Sequence, residues 1–174
     1  GSGKTEVYLS ITEQLLKKGK QVLVLVPEIG LTPQMISRFE QRIEGQVVAV
    51  HSQLNDTQKQ DAYLLAKGGE AKVILGTRSA IFTPIPNLGL VIVDEEHDNS
   101  FKQQSNFRYS ARDLSFMRAK LANVPLILGT ATPSLETLKN VIEKKLARLT
   151  LTSRPGEAIM PSVDLIDMRS QPSE

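Results

Sequence analysis

Four short runs decide what this sequence can fold into: QVLVLV from Gln21, KVILG from Lys72, LGLVIV from Leu88 and PLILG from Pro125. Each is apolar at nearly every position. A strand with one wet face would alternate, so these strands need cover on both sides. Between and around them run segments with apolar residues at helical spacing. Strands that alternate with helices and are apolar on both faces predict an α/β domain with a mostly parallel sheet flanked by helices. Ligands in such folds sit beyond the carboxyl ends of the strands. That is where PEIG, GTRSA, DEEH and GTATPS fall in this sequence.

The first helix is expected from Lys4 to about Lys18, stopped by Gly19. TPQMISRFEQRI reads as a helix capped by Thr32 with Pro33 at its first position. Gln46–Val50 reads as a short strand, and NDTQKQDAYLLAKGG as a helix ending in Gly68-Gly69. Ser110 to about Leu121 reads as a helix opened by a capping box of Ser110 and Asp113. SLETLKNVIEKK reads as a helix opened by Thr132-Pro133, ARLTLT as a following strand, and VDLIDMR as one more. Ser153 to Pro161 has two prolines and a glycine and reads as a linker. The expected organisation is a domain over 1–152, with 153–174 as linker and the start of a further region.

The balance of 21 Lys and Arg against 19 Asp and Glu gives a charge of only +2. A nucleic-acid surface would therefore have to be local and salt-sensitive. No apolar run approaches the roughly 20 residues that cross a bilayer. The absence of cysteine excludes disulfides and thiolate metal sites within this sequence.

GSGKT reads as the end of a Gly-rich phosphate loop whose beginning, and the strand before it, would precede Gly1. Gly1, Ser2 and Gly3 let the backbone turn its N–H groups toward phosphate oxygens. Lys4 would reach the β and γ phosphates, and the Thr5 hydroxyl would hold Mg²⁺. VIVDEEH supplies the partner: Asp94 for the Mg²⁺ shell, and Glu95 to orient or deprotonate water. Together the two motifs predict a bound nucleotide with Mg²⁺. A GTPase would need an NKxD-type sequence, and none is present.

GSGKTEVYL, VLVLVPEIGLTPQ, VVAVHSQL, VILGTRSAIFTPIPNLGLVIVDEEHDNSFKQQ, RYSARDL and ILGTATPSLET resemble the first motor lobe of superfamily-2 DExH helicases, and within them the bacterial primosomal replication-restart (PriA-type) helicases. The resemblance runs from Gly1 through Thr137. It implies a RecA-like P-loop lobe with ATP at one edge of the sheet, in a 3′-to-5′ DNA helicase. His97 takes the last position of DExH, implying coupling to Thr130 and Thr132. Pro27, His51, Thr77, Arg78 and Ser79 map onto segments that contact or position a single strand. Phe101, Lys102, Phe107, Arg108 and Tyr109 fall in an aromatic-rich loop that links DNA occupancy to hydrolysis. Rings stack on bases without sequence preference, and cations meet phosphates.

The resemblance further implies a second motor lobe in the same chain, zinc bound outside this segment, and single-stranded or forked DNA as substrate. It implies single-strand-binding and primosomal proteins as partners, the bacterial cytoplasm as location, and little activity for this segment alone. The alternative readings are a double-strand DNA translocase of the same superfamily or a non-helicase P-loop enzyme.

Overall fold

The computed structural model describes residues 3–152. The phosphate-loop residues Gly1 and Ser2, and the expected linker and VDLIDMR strand, lie outside the described residues. Five strands form one parallel sheet in the order β2-β3-β1-β4-β7: β1 (Gln21–Leu25), β2 (Gln46–Val50), β3 (Ala71–Gly76), β4 (Leu88–Asp94) and β7 (Leu126–Gly129). A second, two-stranded antiparallel sheet pairs β5 (Lys102–Gln103) with β6 (Tyr109–Ser110). The helices are α1 (Lys4–Leu16), α2 (Pro33–Arg42), α3 (Asp56–Gly68), α4 (Ala111–Ala122) and α5 (Leu135–Ile142).

The continuous apolar runs are explained by two cores, one on each face. Val22 and Val24 of β1 point to one side with Leu75, Leu90 and Ile92, where Tyr8 and Leu9 of α1 and Phe39 of α2 cover them. Leu23 and Leu25 point to the other side with Ile74, Val91 and Val93, covered by Ala62 and Ala66 of α3 and Ala111 and Ala119 of α4. Burying such side chains contributes on the order of 1.5–3 kcal/mol each, so register is firmly set on both faces.

Local chemistry sets the helix starts. Thr32 accepts from the N–H of Met35 with Pro33 at the first position of α2. Asn55 and Gln58 form a full capping box on α3. Three expectations need correction. Ser110 caps α4 by accepting from Asp113 N–H, but the Asp113 carboxylate takes Arg112 instead of closing the box. The cap of α5 is Ser134 rather than Thr132-Pro133, because its hydroxyl accepts from Thr137 N–H. ARLTLT forms no strand: residues 147–152 pair with no strand among the described residues, and Leu149 stays 94% exposed.

Gly76 ends β3 where the chain turns into GTRSA. A Cβ there would lie 2.4 Å from the Cβ of Ala80 and 2.5 Å from the carbonyl oxygen of Val50; Ala80 is fully buried, and the Val50 oxygen is fixed by accepting from Thr77 N–H at 3.0 Å. Gly76→Ala is therefore expected to destabilise the protein by about 1–3 kcal/mol, the range for overpacking a core. Urea denaturation of the two proteins measures it.

Candidate nucleotide site and adjoining groove

Gly3 turns through φ 80° into α1, whose amino end carries no side-chain cap. The open helix end and its dipole favour an anion there. Lys4 is the first residue of the helix, and Thr5, half-buried, is the second. From the sheet, β4 delivers Asp94, and the turn after it delivers Glu95, Glu96 and His97. Lys4 Nζ lies 2.5 Å from Glu95 Oε1 and 3.7 Å from Asp94 Oδ1.

Two consecutive residues of a regular strand face opposite ways. Asp94 and Glu95 both reach Lys4 because Glu95 adopts φ 47°, in the left-handed region. A non-glycine residue there costs roughly 1–2 kcal/mol, offset in part by the turn hydrogen bond from Asp98 N–H to the Glu95 carbonyl at 2.8 Å. Backbone strain of this kind concentrates at functional sites.

The Asp94 carboxylate is fixed from behind. Tyr8 donates its hydroxyl hydrogen to Asp94 Oδ1 at 2.9 Å. Tyr8 is buried, and burial first, then the charge of Asp94, raises its phenol far above the ordinary value. The ring reaches Asp94 across Gly129 of GTATPS, where a Cβ would fall 1.6 Å from the Tyr8 oxygen. Neither Tyr8 nor Gly129 was marked by the sequence as a site residue. The glycine opening the GTATPS loop was the available signal.

His97 Nδ1 is 2.8 Å from Thr130 Oγ1, and His97 Nε2 is 3.4 Å from Thr132 Oγ1. The expected trio is thus brought together. His97 Nδ1 also lies 3.7 Å from Glu95 Oε2. Glu96 goes the other way, into the interior, with a side chain fully buried. It accepts from Ser134 N–H at 2.7 Å, from the Ser134 hydroxyl at 3.0 Å and from the Thr137 hydroxyl at 2.9 Å. Sequence reasoning gave Glu96 no role, because a run of acids does not reveal which one turns inward.

On the same rim, a groove of about 250 Å³ is lined by Thr77, Arg78 and Ser79 of GTRSA, by Phe107 and Tyr109, and by Glu28, Ser52, Gln103 and Asn106. Pro27 is buried at the end of β1, and His51 is half-buried beside Ser52. Phe107 is 74% exposed, with its ring centroid 5.9 Å from that of Tyr109. Tyr109 meets Phe82 edge to face at 5.0 Å, which adds a third ring the sequence had not marked. Lys102 and Arg108 are exposed.

Two expectations change. Phe101 is a core residue, 1% exposed. The single turn at Asn99–Phe101, started by Asp98 accepting from Ser100 N–H, drops its ring under the loop. Arg78 is partly engaged, since Nη1 donates to the carbonyls of Ser100 and Lys102 at 3.1 Å each. It ties GTRSA to the aromatic loop, which leaves the rest of its fork for other acceptors.

Residues 1–141 match the model of the DEAD/DEAH box helicase family. The chain belongs to the DEAD/DEAH box helicases. It is 48% identical over 98% of its length to the replication restart protein PriA of Haemophilus influenzae, 49% over 98% to that of Synechocystis, and 44% over 98% to that of Bacillus subtilis. It spans 21–23% of those relatives. The helicase domain of Hef from Pyrococcus furiosus shares the fold, at a TM-score of 0.50 and 12% identity over 78% of this chain and 28% of that one.

Members of the family use ATP with Mg²⁺, and the donor set of this lobe suits that ion. Among the described residues no cluster of three or more His, Asp or Glu forms an all-protein cage. A lone strand-end carboxylate and a helix-end hydroxyl match an ion that keeps its waters and takes phosphate oxygens. No helix among the described residues is long and apolar enough to cross a membrane.

Two outcomes are expected from the Tyr8 clamp. Gly129→Ala should destabilise the protein by about 2–3 kcal/mol, more than Tyr8→Phe at about 1 kcal/mol, by chemical denaturation. The folded-state pKa of Tyr8 is raised, so its contribution is present below the unfolded value near pH 10 and is lost as pH rises above it. The stability difference between wild type and Tyr8→Phe should therefore shrink on going from pH 8 to above about pH 10.

Proposed function

We propose that the chain is the first, ATP-binding motor lobe of a 3′-to-5′ DNA helicase that acts in replication restart, with residues 1–152 as the lobe and 153–174 as linker and the beginning of the following region. The observation that carries this reading is the shared rim: Lys4 lies 2.5 Å from Glu95 and 3.7 Å from Asp94, beside a groove lined by GTRSA and two aromatic rings. The 44–49% identity to PriA proteins supports the replication-restart assignment.

ATP is the substrate. Its phosphates would bind the Gly1-Ser2-Gly3 backbone and the open end of α1, and would draw Lys4 away from Glu95. Freed of the lysine, Glu95 orients water for attack on the γ-phosphorus and takes its proton as the bond to ADP breaks. Thr5 and Asp94 would hold Mg²⁺, which would supply charge neutralisation at the phosphates. His97 reads the state of this site through Thr130 and Thr132.

A single DNA strand runs along the groove. Ser79, the backbone of Thr77 and the free part of Arg78 meet phosphates, with Pro27 and His51 shaping the path and Lys102 and Arg108 adding positive charge. Phe107 and Tyr109 stack on bases. Stacking needs unpaired bases, which favours a single-strand motor over a double-strand translocase. The second lobe, zinc-binding region, single-strand-binding and primosomal partners belong to the longer protein, in the bacterial cytoplasm. The isolated lobe is expected to turn over little ATP.

The test is ATPase and strand-displacement activity of the full-length protein, with and without single-stranded DNA. Hydrolysis should be strongly DNA-stimulated, and Lys4→Ala should lower it by about 100-fold or more. Phe107→Ala combined with Tyr109→Ala should raise the DNA concentration for half-stimulation by about tenfold or more, with ATP binding retained. A folded, full-length protein whose hydrolysis ignores DNA would overturn the reading.

A further inference from the structure

The groove and the nucleotide site share a rim but not a side chain, so something must join them. We infer that Arg112 and Glu96 are positioning residues that transmit occupancy of the aromatic loop to the GTATPS loop. This deepens the motor-lobe reading and rests on it.

The link is short. β6 pairs with β5 (Gln103 opposite Tyr109, Lys102 opposite Ser110), and Ser110 caps α4. Arg112 is therefore in the first turn of α4, three residues after Tyr109. Its side chain is 12% exposed. Nη1 donates to the Ser134 hydroxyl at 2.9 Å and reaches Glu96 Oε2 at 3.4 Å, while Nε donates to Asp113 at 3.0 Å. Nη1 also lies 3.8 Å from Glu136.

Glu96 completes the path. Its backbone N–H donates to the Gly129 carbonyl at 3.1 Å, and its carboxylate holds Ser134 and Thr137. The GTATPS loop is thus pinned at Gly129 and at Ser134, and Thr130 and Thr132, the partners of His97, lie between the pins. Moving the tip of the aromatic hairpin moves the start of α4, and with it Arg112. The arginine then changes its hold on Ser134 and Glu96, and the threonines on His97 shift. A charge network centred on a buried carboxylate with several hydrogen-bond partners resists continuous deformation, so it passes such a shift on rather than absorbing it.

Spatial adjacency alone does not establish coupling, so the test measures coupling in the full-length protein. Arg112→Ala and Arg112→Lys are compared with wild type for basal ATPase, ATPase saturated with single-stranded oligonucleotide, oligonucleotide affinity by fluorescence anisotropy, and thermal midpoint. The expected result is a fall of about tenfold or more in the ratio of stimulated to basal turnover for Arg112→Ala, with basal turnover and DNA affinity within about threefold of wild type. Arg112→Lys, which keeps charge but loses the fork, should fall in between. Combined with Tyr109→Ala, Arg112→Ala should lower the ratio little further, because both break one path.

If Arg112→Ala does not fold, Arg112→Lys and Ser134→Ala carry the same comparison. An unchanged ratio in the folded variants, or a ratio that falls only in step with DNA affinity, overturns the inference. A wild type that DNA does not stimulate overturns the motor-lobe reading itself, a separable outcome.

Discussion

The buried carboxyl group of Glu96 is the constraint on which the site geometry turns. A charge taken wholly from water costs several kcal/mol unless it is paired and hydrogen-bonded. Glu96 is fully buried, so the surrounding chain must supply donors, and it does so from three places: the backbone and hydroxyl of Ser134, the hydroxyl of Thr137 and the guanidinium of Arg112. The amino end of α5, the loop after β7 and the amino end of α4 are each held where a donor is needed. With those positions held, the residues between them have little freedom, and Thr130 and Thr132 meet His97.

The sheet supplies the second half of the arrangement. β4 is buried on both faces between β1 and β7, so Asp94 emerges from a rigid support. The left-handed turn at Glu95 then separates three adjacent acids into two that face Lys4 and one that faces the core. The two outward acids hold the lysine in an ion pair, which in the proposed function bound phosphates replace. That competition favours a site that is ordered before the nucleotide arrives, since the same groups have partners in both states.

The parallel sheet was legible in the sequence because both-face burial writes unbroken apolar runs such as QVLVLV, and these alternate with helical segments. Thr32, Asn55 and Ser110 were legible as helix starts or near them because capping is local chemistry. The Lys4, Asp94 and Glu95 meeting followed from strand-end placement. What was not legible depended on partners distant in sequence. Phe101 and Phe107 share a loop and a residue type, yet one is core and the other is exposed, and only the turn at Asn99–Phe101 decides it. ARLTLT has the alternation of a strand, but a strand also needs an edge to pair with. Tyr8 reads as one more apolar helix residue until Gly129, at the end of β7, leaves room for its hydroxyl.

Arg78 and Arg112 show why a motor lobe would place arginines rather than lysines here. Arg112 spreads its fork over Ser134, Glu96 and Asp113, while Arg78 joins GTRSA to the carbonyls of Ser100 and Lys102 through Nη1. A lysine can satisfy the same charge but not the same set of directions. The two forks grip opposite ends of the aromatic hairpin, one at its entry and one just past its exit. A hairpin held at both ends but exposed at Phe107 has one free part, the tip, which faces the groove. Any ligand that orders the tip therefore acts on both forks, and only the exit fork leads to the acid that holds the GTATPS loop.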